Sequence, residues 1–291
     1  MIDARTFLQL VRAGNLFTAV ADVLAGYLFV GGGMESVGSM ALLAGGSACF
    51  YAGGVVLNDV CDVVRDSAER PWRPIPTGAI SRRSAGLLGA MLLVTGLALC
   101  VPVSARAVRV GLVLLVCIIL YDGVLKQTVL APATMGMCRA ANLLLGMSVA
   151  DDWAAPSNVL AASLLWLYVA SLTYFARFEA VESSRLRLGL GAAGIVAAIV
   201  GLVGVQSFLE DANIWYLLLV GVLLGQVMVP IQRALTAGQP VDVQRAVKVM
   251  VLSIVLFDAC LVFAARGPLM AAPVLVLLVP SILLGQRYRV T

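Results

Sequence analysis

The sequence predicts an all-α protein, a polytopic membrane bundle of nine to ten helices. Three observations point there. Of 291 residues, 61% are hydrophobic and only 12% charged, giving a mean hydropathy of +1.00. Apolar runs recur at the length needed to cross about 30 Å of hydrocarbon. Lysines and arginines gather in alternate loops, as they do in membrane proteins of fixed orientation.

Cutting the chain at charge, proline and glycine clusters gives spans at about 13–31, 38–58, 84–102, 107–122, 132–150, 157–176, 188–207, 213–233, 245–264 and 268–286. The first run begins at about Gly14 and lacks a flanking cleavage site, so it reads as a mature helix rather than a removable signal. With ten spans, every lysine and arginine except Arg106, Arg109 and Arg266 falls on one side. The opposite loops carry Glu35, Asp151, Asp152, Glu210 and Asp211. This bias predicts a protein of the cytoplasmic (inner) membrane with both termini in the cytoplasm. A count of nine would strand Arg287 and Arg289 outside.

The whole chain, 1–291, reads as one membrane domain with a faint internal echo. Arg12-Ala-Gly-Asn15 opens the first helix and Arg139-Ala-Ala-Asn142 lies near the start of the fifth. Asp59 and Asp62 leave the second helix as Glu179 and Glu182 leave the sixth. Two halves, about 10–122 and 132–235, would then face one another across a cavity, with the helices of 245–286 appended.

The densest chemistry lies at the end of the second span, where Asn58, Asp59, Asp62 and Asp66 follow an apolar stretch. Carboxylates at that depth are costly, so a cluster facing a polar cavity is the default functional reading. At roughly 100° per residue the four side chains share one narrow arc of a helix. Three like charges on one face call for a cation. A hard divalent ion such as Mg2+, which takes oxygen ligands and bridges to phosphates, suits them.

Further polar groups share that side of the membrane. Arg12 and Asn15, like Arg139 and Asn142, are i, i+3 pairs that project from one helix face. The loop Glu69-Arg-Pro-Trp-Arg-Pro-Ile-Pro-Thr-Gly78 is stiffened by its prolines and brings Arg70 and Arg73 near the acids. Tyr121-Asp-Gly-Val-Leu-Lys126 adds a phenol and an ammonium. An acid-bound metal ringed by arginine and lysine is what a diphosphate needs, and an apolar interior would take its tail.

These residues resemble the UbiA superfamily of intramembrane prenyltransferases over essentially the whole length. Asn58, Asp59, Asp62 and Asp66 fit its NDxxDxxxD pattern, with Arg73-Pro74 and Gly78 following in an RPxxxG-like loop, and Tyr121 to Lys126 is similar to its tyrosine and lysine segment. Tyr51 to Asp59, Glu69-Arg-Pro71 and Met135 to Gly146 look most like the EboC-like branch. The resemblance implies a helical bundle around a central cavity, cytoplasmic Mg2+, and transfer of a prenyl group from its diphosphate to an acceptor. It departs in the second acidic motif, reduced here to Glu179 and Glu182 with Arg177 close by, which puts a second metal ion in doubt.

The chemistry implied is ionisation of a prenyl diphosphate. Asp59, Asp62 and Asp66 with Asn58 would hold the metal, and Arg73, Lys126 and Arg139 would steady the departing diphosphate. Arg12, Asn15, Arg70, Tyr121, Asn142, Arg177 and Glu179 would complete the substrate site. Asp122 or Glu182 would accept the acceptor's proton. The absence of histidine excludes imidazole metal sites and Ser-His or Cys-His pairs. Six cysteines without a CxxC pair read as packing residues. Expected partners are a prenyl diphosphate, an unidentified acceptor and membrane lipid, with no nucleic acid. Two alternatives stay open, a carrier or assembly component that keeps the cavity without turnover, and a terpene cyclase that quenches the cation internally. Asp258, an acid inside the ninth span, has no role in this scheme.

Overall fold

A computed structural model of the chain describes residues 3–32, 37–177, 185–206 and 214–287, and every regular element among them is helical. In order these are α1 (Ala4–Leu10), α2 (Ala13–Phe29), α3 (Val37–Cys61), α4 (Val63–Glu69), α5 (Arg82–Cys100), α6 (Ala105–Leu120), α7 (Ala131–Met147), α8 (Pro156–Ala176), α9 (Arg185–Gln206), α10 (Ile214–Ala237), α11 (Pro240–Arg266), α12 (Pro268–Val276) and α13 (Leu278–Arg287). Each of the ten predicted spans contains a helix, the last being split into α12 and α13. Among the described residues eight helical segments are long and apolar enough to cross a membrane, and α1 with α2, bent by 55°, would make a ninth. At 17 residues, or about 25 Å, α7 is shorter. It lies inside the bundle, against α2, α6 and α8.

Local chemistry explains most helix ends. Asp3, Ser81 and Ser104 cap α1, α5 and α6 by accepting the backbone N–H three residues on. Pro132, Pro156, Pro240 and Pro268 stand in the first turns of α7, α8, α11 and α12, where a missing N–H does no harm. Gly267, at φ +79°, ends α11 in a conformation that side chains resist.

Helix packing positions the site. Gly26 of α2 and Gly146 of α7 meet reciprocally: a Cβ on Gly26 would run into the Leu143 carbonyl, and one on Gly146 into that of Val23. The two backbones therefore touch, as small residues allow in membrane bundles. At the end of the bundle where α3 finishes, Leu10, Val11, Ala52, Val56, Ile75, Ile80 and Ala85 form a separate apolar cluster. It pins the proline-rich loop through Ile75 and Ile80. The loop closes on itself through Thr77 N–H to Arg73 O (3.0 Å) and Gly78 N–H to Ile75 O (3.0 Å).

Candidate functional site

Where α3 gives way to α4 the predicted single arc of acids is broken. Asp62 is the N-cap of α4, and the motif residues divide into two sets facing different partners. Asp59 and Asp66, 4% and 2% exposed, turn toward arginines. Arg73 Nη1 donates to Asp59 Oδ1 (3.0 Å) and Asp66 Oδ2 (2.5 Å), and Arg12 Nη2 donates to Asp59 Oδ1 (2.8 Å). Asn58 and Asp62 turn the other way. Asn58 Nδ2 donates to Asp122 Oδ1 (2.8 Å), while Lys126 Nζ donates to Asn58 Oδ1 (3.0 Å) and to Asp62 Oδ2.

The mutual repulsion expected of three carboxylates is thus already offset by Arg12, Arg73 and Lys126. That corrects the inference that a metal is needed to hold them together. Burial and the like charge of Arg12 lower the Arg73 guanidinium from its ordinary range, against the pull of Asp59 and Asp66; it stays charged all the same.

Each partner is delivered by a distinct piece of chain. Arg12 sits at the bend between α1 and α2 with φ +46°, the one non-glycine residue of positive φ among those described. Such strain persists where neighbours over-determine it, and here the Asp59 ion pair and the apolar cluster beneath Val11 do so. After α6 the chain continues through a π-helical turn, Tyr121–Leu125, closed by Lys126 N–H to Tyr121 O (2.9 Å). The wider turn resets the register so that Tyr121, Asp122 and Lys126 all reach the same space.

That space is a cavity of about 700 Å³. At its polar end Arg12, Asn15, Asn58, Asp62, Asp66 and Arg70 line it from one side, and Tyr121, Asp122, Lys126 and Arg177 from the other. Deeper in, the lining is mostly apolar, with Phe50, Ile118, Met135, Leu172, Val251 and Ile254. Asp59 and Arg73 do not line it. They lie behind the wall, where Arg73 bridges Asp59 and Asp66, whereas the sequence reading sets Arg73 at the substrate and Asp59 at the metal.

Arg139 and Asn142 line the cavity too, yet they do not converge on the acidic motif as expected. Arg139 Nη1 donates to Asp22 Oδ2 (2.9 Å) and its Nη2 to Thr18 Oγ1 (2.8 Å), with the guanidinium 5.8 Å from the Tyr51 ring centroid. Asn142 Nδ2 donates to Asp22 Oδ2 (3.0 Å) and Ala19 O (2.7 Å). The close α2–α7 crossing brings Asp22 within reach of both. Sequence reasoning passed over Asp22, although a lone acid inside an apolar run is a signal in itself. Arg177 donates to the Thr128 backbone carbonyl. Glu179 and Glu182 lie outside the described residues.

A hard cation's ligands are oxygens, and Asn58, Asp62 and Asp66, which line the cavity, carry such atoms. No group of three or more acidic, histidine or cysteine side chains among the described residues is arranged as a ready metal cage. Mg2+ is commonly held by one or two carboxylates, waters and substrate phosphates rather than by protein alone. In that mode the donor set fits.

Comparison with known proteins agrees with the geometry. Digeranylgeranylglyceryl phosphate synthase of Saccharolobus solfataricus is 34% identical over 127 residues, which cover 44% of this chain and 45% of that one. The synthase of Methanoregula boonei is 27% identical over 205 residues, covering 67% and 73%. The chain spans about half the length of the first relatives it matches, at 45% and 49%.

Two solved structures share the fold. One, from work on digeranylgeranylglyceryl phosphate synthase in membranes, has a TM-score of 0.67 at 20% identity over 91% of this chain and 99% of that one. A UbiA homologue from Archaeoglobus fulgidus bound to GPP and Mg2+ has a TM-score of 0.64 at 13% identity over 88% and 99%. The profile of the UbiA prenyltransferase family matches residues 19–255, most of the length and nearly all of the cavity wall, and the chain belongs to that family.

Proposed function

We propose that this protein is an intramembrane prenyltransferase that ionises a prenyl diphosphate and passes the prenyl group to an acceptor. One observation carries the reading: Asp62, Asp66, Arg12, Arg70 and Lys126 meet at the polar end of a cavity whose other end is apolar. That polarity matches a molecule with a polyanionic head and a hydrocarbon tail. The names of the relatives and the ligands of the Archaeoglobus fulgidus homologue support the same class of donor.

Arg12, Arg70 and Lys126 bind the diphosphate oxygens, with guanidinium forks from the first two and a point charge from the third. Asn58, Asp62 and Asp66 would hold Mg2+, which when bound supplies positive charge to the departing diphosphate. Asp59 and Arg73 keep these groups in place from behind. The allylic C–O bond breaks with its electron pair leaving on the diphosphate. The carbon then bonds to the acceptor nucleophile, whose proton passes to Asp122 or to the released diphosphate. Asp122 suits this task because it faces the cavity and its bonded partner is the amide of Asn58, not a guanidinium. Apolar walls keep water from the cation, and the Tyr51 and Tyr121 rings, which line the cavity, would steady it.

We assign the chain to the cytoplasmic membrane with both termini in the cytoplasm, as a single domain whose α2 and α7 are pseudo-equivalent. The stretches around Tyr51, Glu69 and Met135 favour the EboC-like branch. The acceptor is to be identified by experiment. Purified protein in nanodiscs is incubated with Mg2+, prenyl diphosphates of several lengths and host lipid extract, and products are read by mass spectrometry. A product heavier than an extract lipid by one prenyl unit, with diphosphate released, is expected. Transport without diphosphate release from any donor would sink the reading in favour of a carrier, and product formation without an acceptor would make it a cyclase.

A further inference from the structure

Beside the cavity lies a second polar cluster whose atoms do not satisfy one another. Asp22 of α2 and Asp258 of α11 are fully buried, and neither lines the cavity. Asp22 Oδ2 accepts from Arg139 and Asn142, while Asp22 Oδ1 has no donor. Both oxygens of Asp258 also lack a donor, although α11 packs directly against α2 and brings this carboxyl beside Asp22. Arg139 holds Asp22 with Nη1 and Thr18 with Nη2, and also lines the cavity.

Counting charge decides what is missing. Two ionised carboxyls beside one guanidinium would leave a net negative charge among Ile254, Phe257 and Leu261, all buried apolar neighbours on α11. Facing carboxyls in such a place cannot both ionise. A single proton meets both needs: it removes the surplus charge and provides the donor that Asp22 Oδ1 lacks. The other orphan acceptors need no further ion, since a neutral carboxyl is far cheaper to bury than a charged one.

We propose that Asp22 and Asp258 hold one proton between them, carried by Asp258, and that the pair fixes the Arg139 guanidinium against the cavity. Asp258 is then a positioning residue that acts on Arg139 through Asp22. The proton assignment stands by itself, whereas the consequence for substrate rests on the prenyl-transfer reading.

Infrared spectra of the purified full-length protein, with and without carboxyl-13C aspartate, test the first part. Wild type should show a protonated-carboxyl C=O band that moves with the label and is missing from Asp258→Asn. The second part is read by kinetics with a prenyl diphosphate. Asp258→Asn, whose neutral amide still donates to Asp22, should keep KM within about twofold. Asp258→Leu and Asp22→Asn should raise KM roughly tenfold, the equivalent of a lost hydrogen bond to a charged group, with a smaller change in kcat. Absence of the band from wild type overturns the proton assignment whatever the activity. A band that is present, with Asp258→Leu folded and unchanged in KM, overturns the positioning role. Lack of turnover in wild type with the band present refutes the transferase reading and not the proton.

Discussion

Asp59 and Asp62 are three residues apart in one motif, yet their surroundings assign them different duties. Asp59 is shared by Arg12 and Arg73 behind the cavity wall, so Asp59→Ala takes the counter-charge from Arg12 and leaves Arg73 only Asp66. Breaking a buried pair in this way costs about 3–5 kcal/mol. The expected result is a lowered thermal midpoint in detergent even without ligand. Asp62 faces the cavity and pairs with Lys126. Asp62→Ala should abolish Mg2+-dependent binding of a nonhydrolysable prenyl thiodiphosphate, with helicity by circular dichroism unchanged. Equal loss of stability in the two variants would refute this division. The sequence made the motif legible because carboxylates rarely stand at the end of a bilayer-length apolar run. It could not reveal the division, since a tertiary contact with Arg73, not the helical period, decides which way each side chain turns.

At the scale of helices, the site depends on how closely α2 and α7 approach. Gly26 and Gly146 allow contact between the two backbones, and that contact brings Asp22 to Arg139 and Asn142. A methyl at either position must push the helices apart, so Gly26→Ala and Gly146→Ala should each cost about 1–3 kcal/mol through overpacking. The double variant should cost less than the sum, because one displacement relieves both clashes. Thermal inactivation in detergent measures all three, and strict additivity would count against the shared contact. The helical stretches were readable from hydropathy, although among the described residues eight of them, or nine with the bent α1–α2 pair, are long and apolar enough to cross a membrane rather than ten. The break at Asp62, the bend at Arg12 and the partner of Arg139 were not, because each is set by a neighbour distant in sequence. Arg139 was matched with Arg12 by the echo Arg-Ala-x-Asn, but its ion pair runs to Asp22 rather than to the motif at the mouth.

For the molecule as a whole, the proposed orientation puts the end of α3 on the cytoplasmic side. Cys61 is exposed there. In a variant with the other five cysteines replaced, a membrane-impermeant maleimide should label Cys61 in inside-out vesicles and not in right-side-out ones. The opposite pattern would invert the topology. Cytoplasmic placement also fits a water-soluble by-product, since diphosphate could leave from the polar end while the prenylated lipid stays in the hydrocarbon.

The ion pairs at the cavity mouth bear on when a divalent cation is wanted. Asp59, Asp62 and Asp66 are matched in number by Arg12, Arg73 and Lys126, so the protein's own electrostatic ledger at the motif is level. What would unbalance it is the pyrophosphoryl group of the proposed donor. On the proposed reading, the deficit that magnesium would make good belongs to the substrate, and titration calorimetry should register weak uptake of the ion alone and tight uptake once an isoprenoid pyrophosphate analogue accompanies it.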